Sequence, residues 1–342
     1  MARVSSVHVT LLLEDLPRLA AAAPELRLPA LERAWSRGKP CRLESATANH
    51  LRFILFGIEP GDTVPVAALT HANDRRARPR EASYWLRVDP VTMWADMARV
   101  FMTHCGFADL DPYERNEVES CVREVLEAEG FKLHGEHPER WCIALNEPLP
   151  FDFTPLDEAL GMDVGDVLPD HPEARHWRRV LNEVQVALHN APVNARRRAA
   201  GRQEVNSVWF WGGGFIPDAA PGCLLDTVYS NDAVSRGLAL INDLRLKTLD
   251  EALGTEFADD GQTVLIDWGA PRMYERSAAA EMELGRMEAL VSRLLEGVHR
   301  GRLLLRLYEG GGAGRAYDSS ARWRLWRHRQ PLSRQLGGAV QP

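Results

Sequence analysis

His189-Asn190-Ala191-Pro192-Val193-Asn194-Ala195-Arg196, followed after a short gap by Val205-Asn206-Ser207-Val208-Trp209-Phe210-Trp211-Gly212-Gly213-Gly214, joins a helix end, a proline turn, an arginine-rich segment and a strand running into glycine. Upstream, Trp177, Val180, Leu181, Val184 and Leu188 repeat at helical spacing, with Asp170 as the expected cap and Pro172 in the first turn. Pro192 ends that helix. Working outward, strands are expected at Ser6–Leu13, Arg52–Ile58, Ala82–Val88, Arg140–Leu145, Thr263–Trp268 and Leu303–Tyr308. Helices are expected at Leu28–Arg37, Tyr113–Glu129 and Met287–Val298. Strand and helix alternate throughout, which predicts an α/β fold with a mostly parallel sheet flanked by helices.

The 342 residues suffice for about two domains. Phe151–Asp170, with its prolines, glycines and aspartates, is the expected boundary. It divides an N-terminal α/β lobe (1–150) from a C-terminal α/β lobe (151–342) that holds the candidate site, the two packed as one composite unit. At 45% hydrophobic and 26% charged the chain is globular. Its net charge of −7 argues against nucleic acid as the main partner, because such binding needs a basic surface. Of 41 basic residues only Lys39, Lys132 and Lys247 are lysines, so nearly all the positive charge is guanidinium, whose planar fork suits carboxylates and phosphates. Five widely spaced cysteines make no Cys-x-x-Cys pair, which excludes a zinc ribbon and points to a reducing compartment. The apolar run Val7–Leu13 is too short for an export signal, and nothing approaches a membrane span, so a cytoplasmic protein without membrane contact is expected.

In open α/β sheets ligands bind beyond the carboxyl ends of strands. Gly212, Gly213 and Gly214 would let backbone N–H groups approach an anion, with Arg196 and its neighbours Arg197, Arg198 and Arg202 supplying charge and Asn194 and Asn206 orienting hydrogen bonds. The same residues also read as a tight turn, a solvated arginine face and two tryptophans packed on one side of a strand. No Gly-x-x-x-x-Gly-Lys and no Gly-x-Gly-x-x-Gly is present. Asp89 and Asp267 stand at strand ends, where each reads as a functional carboxylate or a turn-initiating aspartate. His134, His137 and Glu139 are a close His/His/acid grouping in a loop-like stretch without an evident fourth zinc ligand. No Gly-x-Ser-x-Gly elbow is found. Arg322–Arg329 alternates Arg and Trp; it reads as a single-strand nucleic-acid platform or as a docked tail with Trp side chains packed and arginines solvated.

His-x-x-Pro-Val-Asn-x-x-Arg, then Val-Asn-Ser-x-Trp-x-Trp-Gly-x-Gly, resembles the central segment of archaeal-type cofactor-independent phosphoglycerate mutases. With Tyr84–Val91, Leu181–Gln185 and Arg322–Arg329 included, the chain is also similar to a bacterial group of phosphoglycerate mutase-like regulatory proteins of the RpfE type. The resemblance implies an alkaline-phosphatase-like core and a pocket for a phosphorylated three-carbon acid, formed by His189, Asn194, Arg196, Asn206 and Gly212–Gly214. It also implies two divalent metals, Mn or Mg, and a serine nucleophile. Here the sequence departs. The first strand ends Leu13-Glu14-Asp15-Leu16-Pro17 with no glycine after the acid, and none of the eleven histidines has an aspartate four residues before it.

Three readings follow. In the first, the chain binds a phosphorylated small molecule and acts as a regulator, a pseudoenzyme lacking the two-metal set, with a protein partner allowed. In the second, it is an active mutase or phosphomonoesterase whose metal ligands lie elsewhere. In the third, it is an interaction protein without a small-ligand site.

Overall fold

The computed structural model describes residues 6–77, 83–97, 99–107, 109–257, 261–269, 278–324 and 326–336. In chain order the elements are β1 (Val7–Leu13), α1 (Leu16–Ala22), α2 (Pro29–Arg37), β2 (Lys39–Arg42), α3 (Ala48–Leu55), α4 (Val66–Arg75), β3 (Tyr84–Asp96), β4 (Arg99–Cys105), α5 (Pro112–Ala128), β5 (Leu133–His137) and β6 (Arg140–Leu145). There follow α6 (Leu156–Ala159), α7 (Val164–Val167), α8 (Ala174–Asn190), α9 (Pro192–Ala199), β7 (Ser207–Gly214), β8 (Thr227–Ser230), α10 (Ala233–Ile241) and β9 (Arg245–Lys247). The last are α11 (Leu249–Gly254), β10 (Thr263–Asp267), α12 (Ala278–His299), β11 (Leu303–Glu309), β12 (Ala313–Tyr317) and α13 (Leu332–Leu336). No described helix is long and apolar enough to cross a membrane.

Two compact units form, one of Met1–Pro60 with Ala219–Pro342 and one of Gly61–Asp218. The second is inserted into the first, so compactness does not part the chain at 150/151. The proline- and glycine-rich 151–170 stretch lies inside the inserted unit, because Phe153, Ala159 and Val164 are buried in that unit's core.

The first unit carries a seven-stranded sheet ordered β2-β12-β11-β1-β10-β8-β9. Its β11, β1, β10, β8 and β9 run parallel, while β12 and β2 are antiparallel additions at one edge. The expected mostly parallel sheet flanked by helices is present here. β1 reads as an almost unbroken apolar run because it is central and its Val9, Leu11, Leu12 and Leu13 are buried. Met287, Leu290, Val291, Leu294, Leu295 and Val298 of α12 pack with β1 and β11 in one core. Each fully buried aliphatic side chain of this kind contributes roughly 1.5–3 kcal/mol relative to leaving it exposed.

The inserted unit differs from expectation, since its five-stranded sheet is antiparallel throughout, with β3 between β6 and β7 and then pairing β4. β3 does not stop at Asp89-Pro90 but continues to Asp96. The proline is tolerated at a handover: β6 pairs β3 as far as Val88, and pairing of β3 with β4 begins at Val91. Ala82, the first residue of the expected strand, lies outside the described residues.

Two further expectations are corrected. Arg52–Ile58 is not a strand; α3 runs through Leu55, begun by Thr47, whose Oγ1 accepts from His50 N at 3.2 Å. A short apolar run suits a buried helix face as well as a strand. Asp170 does not cap α8, which starts at Ala174 after Glu173.

Candidate functional site

Parallel strands bring their carboxyl ends to one edge of the sheet. At that edge of the first unit, Glu14 follows β1, Asp267 ends β10, and Asp232 follows β8 as the cap of α10. Arg52 of α3 enters among them, almost wholly buried. Its Nε donates to Asp267 Oδ2 at 2.9 Å and lies 3.3 Å from Asp232 Oδ1. Its Nη2 donates to Glu14 Oε2 at 2.6 Å, and its Nη1 to Asn49 Oδ1 at 2.8 Å.

The carboxylates are held from their other sides as well. Ser235 Oγ donates to Asp267 Oδ2 at 2.5 Å, and Gly269 N donates to Oδ1 at 2.9 Å. Asp232 Oδ1 accepts from Val234 N and Ser235 N at 3.0 and 2.9 Å. Burial opposes the charge on Arg52, but Asp232, Asp267 and Glu14 together outweigh it and hold the guanidinium above its ordinary pKa. For Glu14 burial prevails over the attraction of Arg52, and its pKa is raised. An arginine shared among three carboxylates gives each only part of its stabilisation.

Among the described residues, the donors to Asp267 and to Asp232 Oδ1 are a guanidinium N–H, a hydroxyl and backbone N–H groups.

The residues singled out from sequence lie in the inserted unit and have separate tasks. Asn194 is buried; its Nδ2 donates to Leu188 O and Val205 O, both at 2.8 Å, and its Oδ1 accepts from Val205 N at 3.1 Å. It fastens the end of α8 to the approach of β7. Asn206 pairs with the backbone of Met93, accepting from its N–H and donating to its carbonyl at 2.8 Å each, beside the register shift between Thr92 and Met93. Thus both amides serve the backbone. Arg197, buried, donates to Glu114 and Asp109, Arg202 to Glu114 and Arg198 to Glu204. Arg196 is exposed and paired with Glu117 at 2.5 Å, and His189 is exposed at the end of α8. The glycines of β7 admit close neighbours: a Cβ on Gly213 would stand 2.3 Å from Tyr84 Oη, and one on Gly214 2.5 Å from Pro65 Cβ. No hydrogen-bond partner is common to the seven residues.

Asp89 is an interior strand residue, bonded by both Arg87 Nη2 contacts (2.6 and 2.7 Å) and by Trp211 Nε1 at 2.7 Å. Burial nevertheless raises its pKa, against the pull of Arg87 and Trp211. His134, His137 and Glu139 do not converge; His137 Nδ1 accepts from Glu139 N in its own hairpin. The C-terminal stretch inverts the expected pattern, with Trp323 and Trp326 exposed while Arg324 and Arg327 donate to Arg37 O and Gly38 O at the end of α2. Arg322's side chain and Leu325 lie outside the described residues. Glu14, Arg52, Asp232 and Ser235 were not among the sequence candidates; the first acid after β1 was the available signal.

No family model matches the chain. A stretch of 68 residues, 20% of this chain, is 31% identical to a 2,3-bisphosphoglycerate-independent phosphoglycerate mutase of Methanosarcina barkeri and covers 17% of that protein. Another of 167 residues, 48% of this chain, is 22% identical to a probable 2,3-bisphosphoglycerate-independent phosphoglycerate mutase of Geobacter sulfurreducens and covers 42% of it. The matches therefore span less than half of either relative. The solved PH0037 protein of Pyrococcus horikoshii aligns over 99% of both chains with a TM-score of 0.52 and 11% identity, a likeness of fold. The chain is thus an α/β protein distantly related in sequence to cofactor-independent phosphoglycerate mutases.

Proposed function

We propose that this chain is a phosphoglycerate mutase-like protein that binds a phosphorylated small molecule as a regulator and does not carry out two-metal phosphoryl transfer. One observation carries the second half of the reading: the Arg52 guanidinium occupies the space between three carboxylates at the sheet's carboxyl edge, where two-metal transfer would need carboxylates and imidazoles around divalent cations. The distant mutase relationship supports a phosphorylated ligand and an alkaline-phosphatase-like core, and the RpfE-type resemblance supports the regulatory role. Of the seven residues read from sequence, His189 and Arg196 have solvent-facing side chains and are the ones proposed to meet the anion.

Purified protein incubated with 3-phosphoglycerate and Mn(II) tests the catalytic half. The expected result is no metal-dependent turnover beyond that of Asp267→Asn; turnover that this change abolishes overturns the reading. Thermal unfolding with 3-phosphoglycerate tests the binding half. A rise in Tm that Arg196→Ala removes supports it, and no rise favours an interaction protein without a small-ligand site.

A further inference from the structure

In the inserted unit α4 lies across one face of the antiparallel sheet and lowers His71 onto it. His71 is 3% exposed and stacks on Trp85 of β3, with ring centroids 3.8 Å apart. On the neighbouring strands His134 of β5 stands directly opposite Cys142 of β6, and Glu136 follows His134 on β5. Two stretches far apart in sequence, α4 and the β5–β6 hairpin, therefore bring two imidazoles and a carboxylate together, with the Cys142 thiol beside His71.

The distances are those of a ligand shell. His71 Nδ1 lies 3.3 Å from Cys142 Sγ and 3.8 Å from Glu136 Oε2, and His134 Nδ1 lies 3.6 Å from Glu136 Oε1. One ligand atom from each of His71, His134 and Glu136 falls within 4.8 Å of the others. A tetrahedral zinc ion with bonds of about 2.0–2.3 Å has ligands about 3.3–3.8 Å apart along the edges of the tetrahedron. Cys142 Sγ stands beside His71 and is not one of that group of three, so a shared ion requires His134 and Glu136 to turn toward the thiol.

We propose that His71, His134, Glu136 and Cys142 form a structural zinc site that ties α4 to the β5–β6 hairpin. Mixed nitrogen and sulfur donors favour zinc over magnesium or calcium, which take oxygen ligands. Four protein ligands leave no open position, which makes the site structural. Trp85, Ala67 and Ala68 wall it on the buried side. Glu136, with a side chain one-third exposed, gives the entry path, and Arg75 Nη1 stands 3.9 Å from its Oε1 at the rim.

The test is Co(II) titration of the full chain after chelation and gel filtration, with circular dichroism to confirm that it is folded. One ion per chain is expected, with the visible bands of tetrahedral Co(II) and a near-ultraviolet thiolate-to-metal charge-transfer band. Cys142→Ser should remove the charge-transfer band and keep the visible ones. The double change His134→Ala, Glu136→Gln, with circular dichroism to confirm that the variant is folded, should weaken binding at least about tenfold. A folded wild-type chain that retains no Co(II) overturns the proposal. So does retention unaffected by the double change, which would put the ion elsewhere.

Discussion

Arg52 Nε donates to Asp267 Oδ2 at 2.9 Å, and both side chains are withdrawn from solvent. A buried pair of this kind adds little net stability over an apolar pair, but removing one partner strands a charge. Arg52→Met is therefore expected to cost about 3–5 kcal/mol in urea unfolding. Adding Asp267→Asn should return part of that loss, since it removes the stranded charge. Strictly additive effects of the two changes would contradict the coupling.

Glu14 supplies a dependence on pH. Its folded pKa is raised above 4.5, chiefly by burial, so the folded chain holds this proton more tightly than the unfolded chain. The stability from this group is full below the unfolded value and is lost as pH rises through the folded value. Glu14→Gln should therefore gain on wild type as pH rises from about 4, and the gain should stop above the folded pKa. Urea midpoints of both proteins across about pH 4–8 measure it; a difference that moves the other way contradicts the sign.

The two asparagines of the Pro-Val-Asn and Val-Asn-Ser segments should behave as structural braces. Asn194→Ala removes the side-chain partner of Val205 N and Val205 O, while Leu188 O keeps Ala191 N, at a cost of about 2 kcal/mol. His189→Ala, at an exposed helix end, should stay within about 0.5 kcal/mol. Equal losses for the two would refute this division of roles.

Glycine positions offer a test of packing. Gly213→Ala puts a methyl against the Tyr84 ring, with Cε1 and Cζ at 2.9 Å, and is expected to cost about 1–3 kcal/mol. Gly222→Ala meets nothing within 4 Å and should be close to neutral. Thermal melts of the pair decide it, and similar Tm values would refute the close contact.

Much of the fold could be read locally. β1, α2, α5, α8, β10, α12 and β11 declare themselves because an apolar period and its stop signals sit within a few residues. What the sequence concealed is contact between remote residues. Glu14, Arg52, Asp232 and Asp267 meet only because β1, β8 and β10 are neighbours in the sheet, and Arg52 lay in a run that reads equally as strand or helix. Likewise the glycines of β7 looked like an anion nest because the same residue serves a phosphate and a close Tyr84. The arginine bias found a use the composition did not specify: Arg315, Arg324 and Arg327 donate to Trp35 O, Arg37 O and Gly38 O, the last carbonyls of α2 and the residue after it.

The insertion of Gly61–Asp218 also sets an order of events on the ribosome. That unit is continuous and can close on itself once its last strand has emerged. β1 is made first, yet its neighbours are β10 and β11, paired through His8↔Thr263 and Val7↔Leu303. Until those strands are synthesised, Val9, Leu11 and Leu13 have no sheet to enter. Until then the apolar face of β1 has no native sheet partner, and apolar surface left open in this way is aggregation-prone.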